Sequence, residues 1–464
     1  MIRRVCPFVS IPVAVLSAFA AGGCATRTAE PAMLTPETSL NAFEARSLEN
    51  PALLKFIVER SGGKPGSWDS DALAWAGYFY HPSLDAARAR LAAAEAAAQA
   101  AAEFPNPALG LKLGRNTASG IPSPWINSLQ LDLPIETAGR RQHRAERAEQ
   151  IAVAARLNLA SVAWQIRGRV HRAWVDLLAA RGSTALLREQ VVLREDRLRL
   201  EEARLAAGDA APTEIALAKL DLTASRLAWN EASRSAAGAR IRLSEAIGVP
   251  DAALENAKLP PDALERRTEI DTLPTVRRRA LLNRADLLAA LAEYSAAHAA
   301  LSIEVAKQFP ELRLGPGYTY DQGENKWSLG LAITLPVFDR NRGGIAEARA
   351  RRDEAAAAFN TRQSGVLAEI ERATAEWHAA ERRRADVSLM GKEVERLEAA
   401  ARARFAAGDI PGSELVAIRL QVNAAALARL EALAQTQRAH GDLEAAVQVP
   451  SSLPAEAWRT EPAR

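Results

Sequence analysis

Apolar and polar positions along the chain switch between two periods, and they do so twice in the same order. From near Pro82, through Leu84-Asp85-Ala86-Ala87-Arg88 to Phe104, the spacing is helical, and Pro105 and Pro107 end it. The period then becomes two. Leu109, Leu111 and Leu113 alternate with Gly110, Lys112 and Gly114; after a loop from Asn116 to Pro124, Leu129, Leu131 and Leu133 alternate with Ser128, Gln130 and Asp132 until Pro134. This predicts a hairpin with strands at about 107–115 and 126–134. A proline-free helical stretch follows Ala138-Gly139 and ends only at Pro212. Roughly 70 residues at 1.5 Å each make a rod of about 105 Å. The next helix, Thr213 to about Ala246, and the one before the hairpin are each far shorter, so one long helix is expected to pack against two short ones in line.

The second half replays the first. Asp286 to Gln308 is helical, Phe309-Pro310 answers Phe104-Pro105, and strands are expected at about 311–320 and 327–337 around a turn at Asp321 to Lys326. A proline-free helix runs from Gly343-Gly344 to Gly408, and its mate ends near Val447. The phrase Ala203-Arg204-Leu205-Ala206-Ala207-Gly208-Asp209 returns as Ala403-Arg404-Phe405-Ala406-Ala407-Gly408-Asp409, and Glu214 returns as Glu414, in constant register as far as Pro250 and Pro450. One unit has been duplicated. The expected layout is a signal segment 1–23, a loop-rich arm 24–70 with at most short helices and a first repeat 71–250 with its tip turn at 206–213. A connector 251–274, a second repeat 275–450 with its tip turn at 406–413, and a tail 451–464 complete it. The class is mostly α with a small β part. Each tip turn reads as the end of a helical hairpin, with Gly208 or Gly408 as a left-handed cap and Pro212 or Pro411 barring continuation.

The first residues change the picture more than bulk composition does. Arg3 and Arg4, the apolar run Val9 to Ala20 and the small residues Ala20-Ala21-Gly22-Gly23 before Cys24 have the parts of an export signal. Small residues directly before a cysteine resemble a bacterial lipoprotein box, so Cys24 is expected to carry lipid; Ala21 stands where leucine is usual, and a plain cut near Ala18-Phe19-Ala20 is the alternative. Cys6 would leave with the signal, which excludes an internal disulfide and a multi-cysteine metal site. No later stretch approaches eighteen consecutive apolar residues, so no membrane-spanning helix is expected. Lys and Arg total 59 against 56 for Asp and Glu, and a net charge of +3 does not call for nucleic acid. Alanine supplies much of the 48% hydrophobic share, and aromatics are only 5%, which suits close-packed long helices.

Strands near ten residues with strict alternation have the length and period of transmembrane β-strands. Trp125, Tyr318, Tyr320 and Trp327 lie near the loop ends, where an interfacial aromatic girdle belongs. The competing reading is a soluble four-stranded sheet packed on helices. A lipid-facing sheet cannot keep open edges, so the chain would have to oligomerise; two copies give eight strands and three give twelve, and twelve leave a lumen.

Phe104-Pro105-Asn106-Pro107, Leu133-Pro134-Ile135-Glu136-Thr137-Ala138-Gly139-Arg140-Arg141 and Leu335-Pro336-Val337-Phe338-Asp339-Arg340-Asn341-Arg342-Gly343-Gly344-Ile345-Ala346, in this duplicated layout, resemble the TolC family of bacterial outer-membrane efflux channels. The last phrase is similar to the cobalt-zinc-cadmium (CzcC-like) heavy-metal branch. The resemblance implies a homotrimer with a twelve-stranded outer-membrane β-barrel among outer-membrane lipids, continuing into a long periplasmic α-helical barrel. It also implies tip turns, around Gly208, Glu214, Gly408 and Glu414, that meet a periplasmic adaptor protein. That adaptor joins an inner-membrane pump of the resistance-nodulation-division class. Such a channel is no enzyme and carries no cofactor. The six histidines are scattered without a ligand pair at i, i+4, so no metal site is expected on the chain itself. Under threefold symmetry Asp209 and Asp409 would form carboxylate rings at a narrow periplasmic mouth; the other reading is that each only caps the following helix near Thr213 or Ser413. A periplasmic adaptor and a structural coiled-coil lipoprotein are the alternatives for the whole chain.

Overall fold

The computed structural model describes residues 34–63, 65–260, 262–266 and 273–448. The expected signal segment, Cys24 and the tail 451–464 lie outside them. Residues up to Ala45 and those from Arg46 onward form two units. The described part of the first is one helix, α1 (Pro36–Glu44), closed by a Thr35–Thr38 capping box.

The second unit holds the duplication. It opens with α2 (Pro51–Ser61), α3 (Ser70–Tyr80) and α4 (Pro82–Ala102), followed by β1 (Ala108–Arg115) and β2 (Trp125–Ile135). The long helix α5 (Arg140–Ala206) and α6 (Pro212–Ile247) complete the first repeat. The second repeat runs α7 (Leu273–Asn283), α8 (Ala285–Ala306), β3 (Glu311–Asp321), β4 (Glu324–Thr334), α9 (Arg342–Ala406) and α10 (Gly412–Val447). The 67 residues of α5 span about 100 Å at the α-helical rise. α5 packs on α4 and α6, as the long-helix expectation has it, and also on α8 and α10 of the other repeat.

Two short helices escape the pattern. α3 lies in the stretch read as the loop-rich arm and the start of the first repeat, directly before Pro82. Eight of its eleven residues are buried, so it has no polar face to reveal a helical period. α7, its counterpart before α8, falls where the connector was expected to give way to the second repeat.

The core keeps the register of the duplication. Ile166, Val170 and Ala173 on α5 pack with Leu243, Ala246 and Ile247 on α6. Two hundred residues on, Val366, Ile370 and Ala373 on α9 pack with Leu443, Ala446 and Val447 on α10. Truncating a fully buried member such as Ile166 to alanine costs about 2–5 kcal/mol.

The two hairpins join through β2 and β3 into one antiparallel sheet of order β1-β2-β3-β4. The β2–β3 ladder skips the positions of Gly315 and Pro316, where proline has no N–H to give. β4 begins and ends three residues earlier than the expected 327–337. Gln322 (φ 55°) and Gly323 (φ 110°) make a two-residue hairpin turn, so pairing starts at once with Asp321 opposite Glu324. At the other end Thr334 faces Glu311, the first residue of β3, and Leu335 onward has no partner strand.

Candidate functional site

Two regions stand out from an otherwise ordinary helical packing: the sheet, and the turns at the far ends of the long helices. The ladder registers assign every strand residue to a face. Leu109, Leu111 and Leu113 of β1 lie on the same face as Leu129, Leu131, Leu133 and Ile135 of β2, Leu312, Leu314 and Tyr318 of β3, and Trp327, Leu329, Leu331 and Ile333 of β4. Most of this face is open: Leu113 and Leu329 are each 72% exposed and Trp327 82%. So continuous an apolar surface demands a partner or a lipid environment. The opposite face carries Gly110, Lys112, Ser128, Gln130, Asp132, Arg313, Thr319, Lys326 and Ser328. Two of its cations pair across strands, Arg313 with Asp132 at 3.0 Å and Lys326 with Asp321 at 2.7 Å. Among the described residues β1 and β4 each have only one neighbouring strand, so both outer edges keep unpaired backbone groups.

The four aromatics singled out in the sequence gather at the loop end of the sheet. Trp125 opens β2 opposite Arg115, whose guanidinium lies 5.8 Å from its ring centroid. Tyr318 and Trp327 are ladder partners with centroids 4.9 Å apart, and the Tyr318 hydroxyl lies 2.6 Å from Asn325 Oδ1. Tyr320 sits one step nearer the turn, opposite Asn325.

At the helix end, the first two phrases that carry the family resemblance, together with Arg144, form an anchoring collar. Arg140 donates to the carbonyls of Ala306 (3.3 Å) and Phe309 (2.9 Å) at the C-terminus of α8 and pairs with Glu311. Arg144 donates likewise to Ala101 (2.9 Å) and Glu103 (3.1 Å) at the C-terminus of α4 and pairs with Glu136. Arg141 stacks 3.9 Å from the centroid of Phe104. Cations at helix C-termini satisfy the orphan carbonyls and the dipole together. The collar fixes the sheet to two helix ends at once.

The tip turns have the same geometry in both repeats. Gly208 (φ 83°) and Gly408 (φ 81°) are left-handed, the Asp209 amide donates to the Arg204 carbonyl at 2.8 Å, and that of Asp409 to Arg404 at 2.9 Å. A Cβ on either glycine would meet nothing within 4 Å, so the backbone angle alone selects glycine. Asp209 and Asp409 are exposed. The residues before α6 and α10 are Ala211 and Pro411, and neither helix has a side-chain cap, so the capping alternative for the two aspartates does not hold.

Sequence reasoning left Arg204 and Arg404 without a role. Arg204 pairs with Glu201 (2.7 Å) and Glu214 (3.5 Å) and donates to the Asp209 carbonyl (3.0 Å); Arg404 pairs with Glu414 at 3.7 Å. Each arginine thus ties the outgoing helix to the returning one. The signal was present, because arginine and glutamate recur together in both copies of the phrase. Leu205 and Phe405, the one exchanged pair in it, are both solvent-facing. The described residues hold no His, Cys, Asp and Glu grouping fit for a metal, and no helix among them is long and apolar enough to cross a membrane.

The profile of the family described as "Outer membrane efflux protein" matches residues 80–249 and 276–447, one segment per repeat. The chain belongs to that family. Members are channels and not enzymes. The cobalt-zinc-cadmium resistance protein CzcC of Cupriavidus metallidurans is 28% identical over 59% of this chain and 64% of its own length. The nickel-cobalt-cadmium resistance protein NccC of Alcaligenes xylosoxydans xylosoxydans is 27% identical over 62% of this chain and 67% of its own. The match thus spans about two thirds of these relatives. The solved outer membrane protein VceC of Vibrio cholerae shares the fold, with a TM-score of 0.67 at 19% identity over 82% of this chain and 95% of that one.

Proposed function

We propose that the chain is the passive outer-membrane conduit of a tripartite efflux system. The observation that carries this reading is the two-faced sheet with both edges open. An apolar outer face can lie in lipid only if every backbone group is paired, and closure of β1 on β4 of a second copy achieves that. Four strands per chain make a barrel of twelve when three copies join, wide enough for a polar lumen. The girdle of Trp125, Tyr318, Tyr320 and Trp327 would then mark one membrane interface. Exposed Leu217, Leu220 and Leu227 on α6 follow helical spacing and fit burial against a neighbouring copy in a tunnel of helices.

In this reading the helices project into the periplasm. The tip turns, with Gly208, Glu214, Gly408 and Glu414, meet a periplasmic adaptor coupled to an inner-membrane pump of the resistance-nodulation-division class. Asp209 and Asp409 ring the mouth, and lipid on Cys24 adds an anchor. The names of the two metal-resistance relatives support heavy-metal cations as cargo. A duplicated helical unit with its strands confined to one sheet does not favour the adaptor alternative.

Electron microscopy of the detergent-purified protein tests the assembly. The expected particle is a threefold tube with a rod section of about 100 Å and a barrel of about 30 Å. Isolated monomers or flexible filaments would reject it.

A further inference from the structure

Charge on the polar face of the sheet is unevenly neutralised. Asp132 pairs with Arg313, Lys326 lies between Asp321 at 2.7 Å and Glu324 at 3.4 Å, and Glu311 is held by Arg140. Lys112 differs. It sits near the middle of β1 opposite Ser128, with Gly110 and Gly114 on either side along the same face. The nearest carboxylate on β2, Asp132, belongs to the Ala108 rung, four residues away or about 13 Å along the strand.

β1 is an edge strand, so a neighbour could still supply a partner. The free edge of β4 offers Lys326, Ser328, Gly330, Ala332 and Thr334 on the polar face. Its one carboxylate there, Glu324, sits at the turn and already faces Lys326. Closing β1 on β4 of a second copy therefore leaves the Lys112 ammonium without an acidic partner on either flanking strand.

We infer that Lys112 sets charge selectivity in the barrel: three copies place a ring of ammonium groups partway along the lumen, which favours anions over cations in that section. This rests on the trimeric barrel reading. The flanking glycines leave the ring unshielded by side chains on its own strand, and low-dielectric walls focus its field along the pore axis. The section behaves oppositely to the aspartate rings proposed at the periplasmic mouth.

Wild type, Lys112→Gln and Lys112→Glu reconstituted in planar lipid bilayers under a KCl gradient give the cation-to-anion permeability ratio. The expected order is Glu above Gln above wild type, with Glu at least about threefold over wild type, the effect of a local potential change of order kT. An unchanged ratio in channels of normal conductance overturns the inference and leaves the conduit reading intact. Labelling reads the same placement whether or not the periplasmic end is open. Above the wild-type background, Lys112→Cys should react with a membrane-impermeant thiol reagent in vesicles while its neighbour Leu111→Cys, on the lipid face, does not. Equal labelling of both overturns the two-sided barrel itself, and failure of Lys112→Cys to label overturns the ring alone.

Discussion

At the scale of single residues, two kinds of glycine separate cleanly. Gly441 on α10 lies against the His171 ring on α5, which a Cβ would overlap; His171 is fixed there by Ser70 Oγ at 2.9 Å and the Gln437 carbonyl at 2.9 Å. Gly441→Ala should lower stability by about 1–3 kcal/mol as overpacking. Adding His171→Ala should recover part of the loss, measured by thermal unfolding; an unchanged melting temperature in the single variant would mean the helices can separate without cost. Gly208 has no neighbour to clash with, and Gly208→Val should cost about 1–2 kcal/mol through backbone handedness alone. That strain sits at the tip, so in the proposed efflux system the expected signature is defective cross-linking to the adaptor beyond what its modest loss of stability explains. Only the second glycine was legible in the sequence, because a C-cap glycine announces itself by position whereas a close helix crossing depends on a residue 270 positions away.

At the scale of elements, strands and long helices were legible because each has one buried or lipid-suited face and so a clear period. What stayed hidden is what has no period. α3 is buried on nearly all sides, and the arginines that join elements find their partners far along the chain. Arg167 on α5 reaches Asp71 on α3 at 2.5 Å and Glu444 on α10 at 3.2 Å, binding the two repeats together. Arg284, before α8, pairs with Asp286 at 2.8 Å and Glu369 on α9 at 2.8 Å, and donates to the Ala446 carbonyl at the end of α10. Burial alone would raise the Asp286 pKa, but the Arg284 hydrogen bonds and charge, with Arg362 behind them, bring it below the usual carboxylate value. A depressed folded pKa gives stability that is present above the unfolded value of 3.8 and lost as pH falls through the folded one. Thermal melts between neutral pH and pH 3 or so should therefore show an acid-side loss that shrinks in Asp286→Asn. His440 adds a second, higher window. Burial lowers its pKa first, with His171 and Arg167 acting in the same direction against Glu444 and Asp71, so stability falls as pH drops below 6.5. His440→Gln should remove that part of the slope; an identical profile would assign it to another group.

At the scale of the whole molecule, the duplication is what made the architecture readable, because packing follows it as faithfully as the sequence does: Val170 and Ile370, Leu243 and Leu443, occupy equivalent core positions. The tips keep the same symmetry. Their backbones agree to within 2° in φ at Gly208 and Gly408, and each presents an aspartate that caps no helix while arginine and glutamate beside it are tied to one another. In the proposed trimer, two such carboxylates per chain would become six, gathered where the tunnel of helices would narrow. Like charges at short range repel, so such a ring attracts cations, and cations or adaptor groups bridging the carboxylates would hold the mouth closed. If the aspartates serve as a cation-attracting mouth, Asp209→Ala combined with Asp409→Ala should lower cation preference and raise leak conductance in bilayers, with each single change giving a partial effect. Selectivity and leak both unchanged in the double variant would reduce the two residues to surface charge and move the mouth to another part of the tips. Combining the pair with Lys112→Glu separates the two ends of the conduit. Independent sites in series should give shifts of opposite sign, toward anions from the tips and toward cations from the barrel, and the triple variant should lie between them.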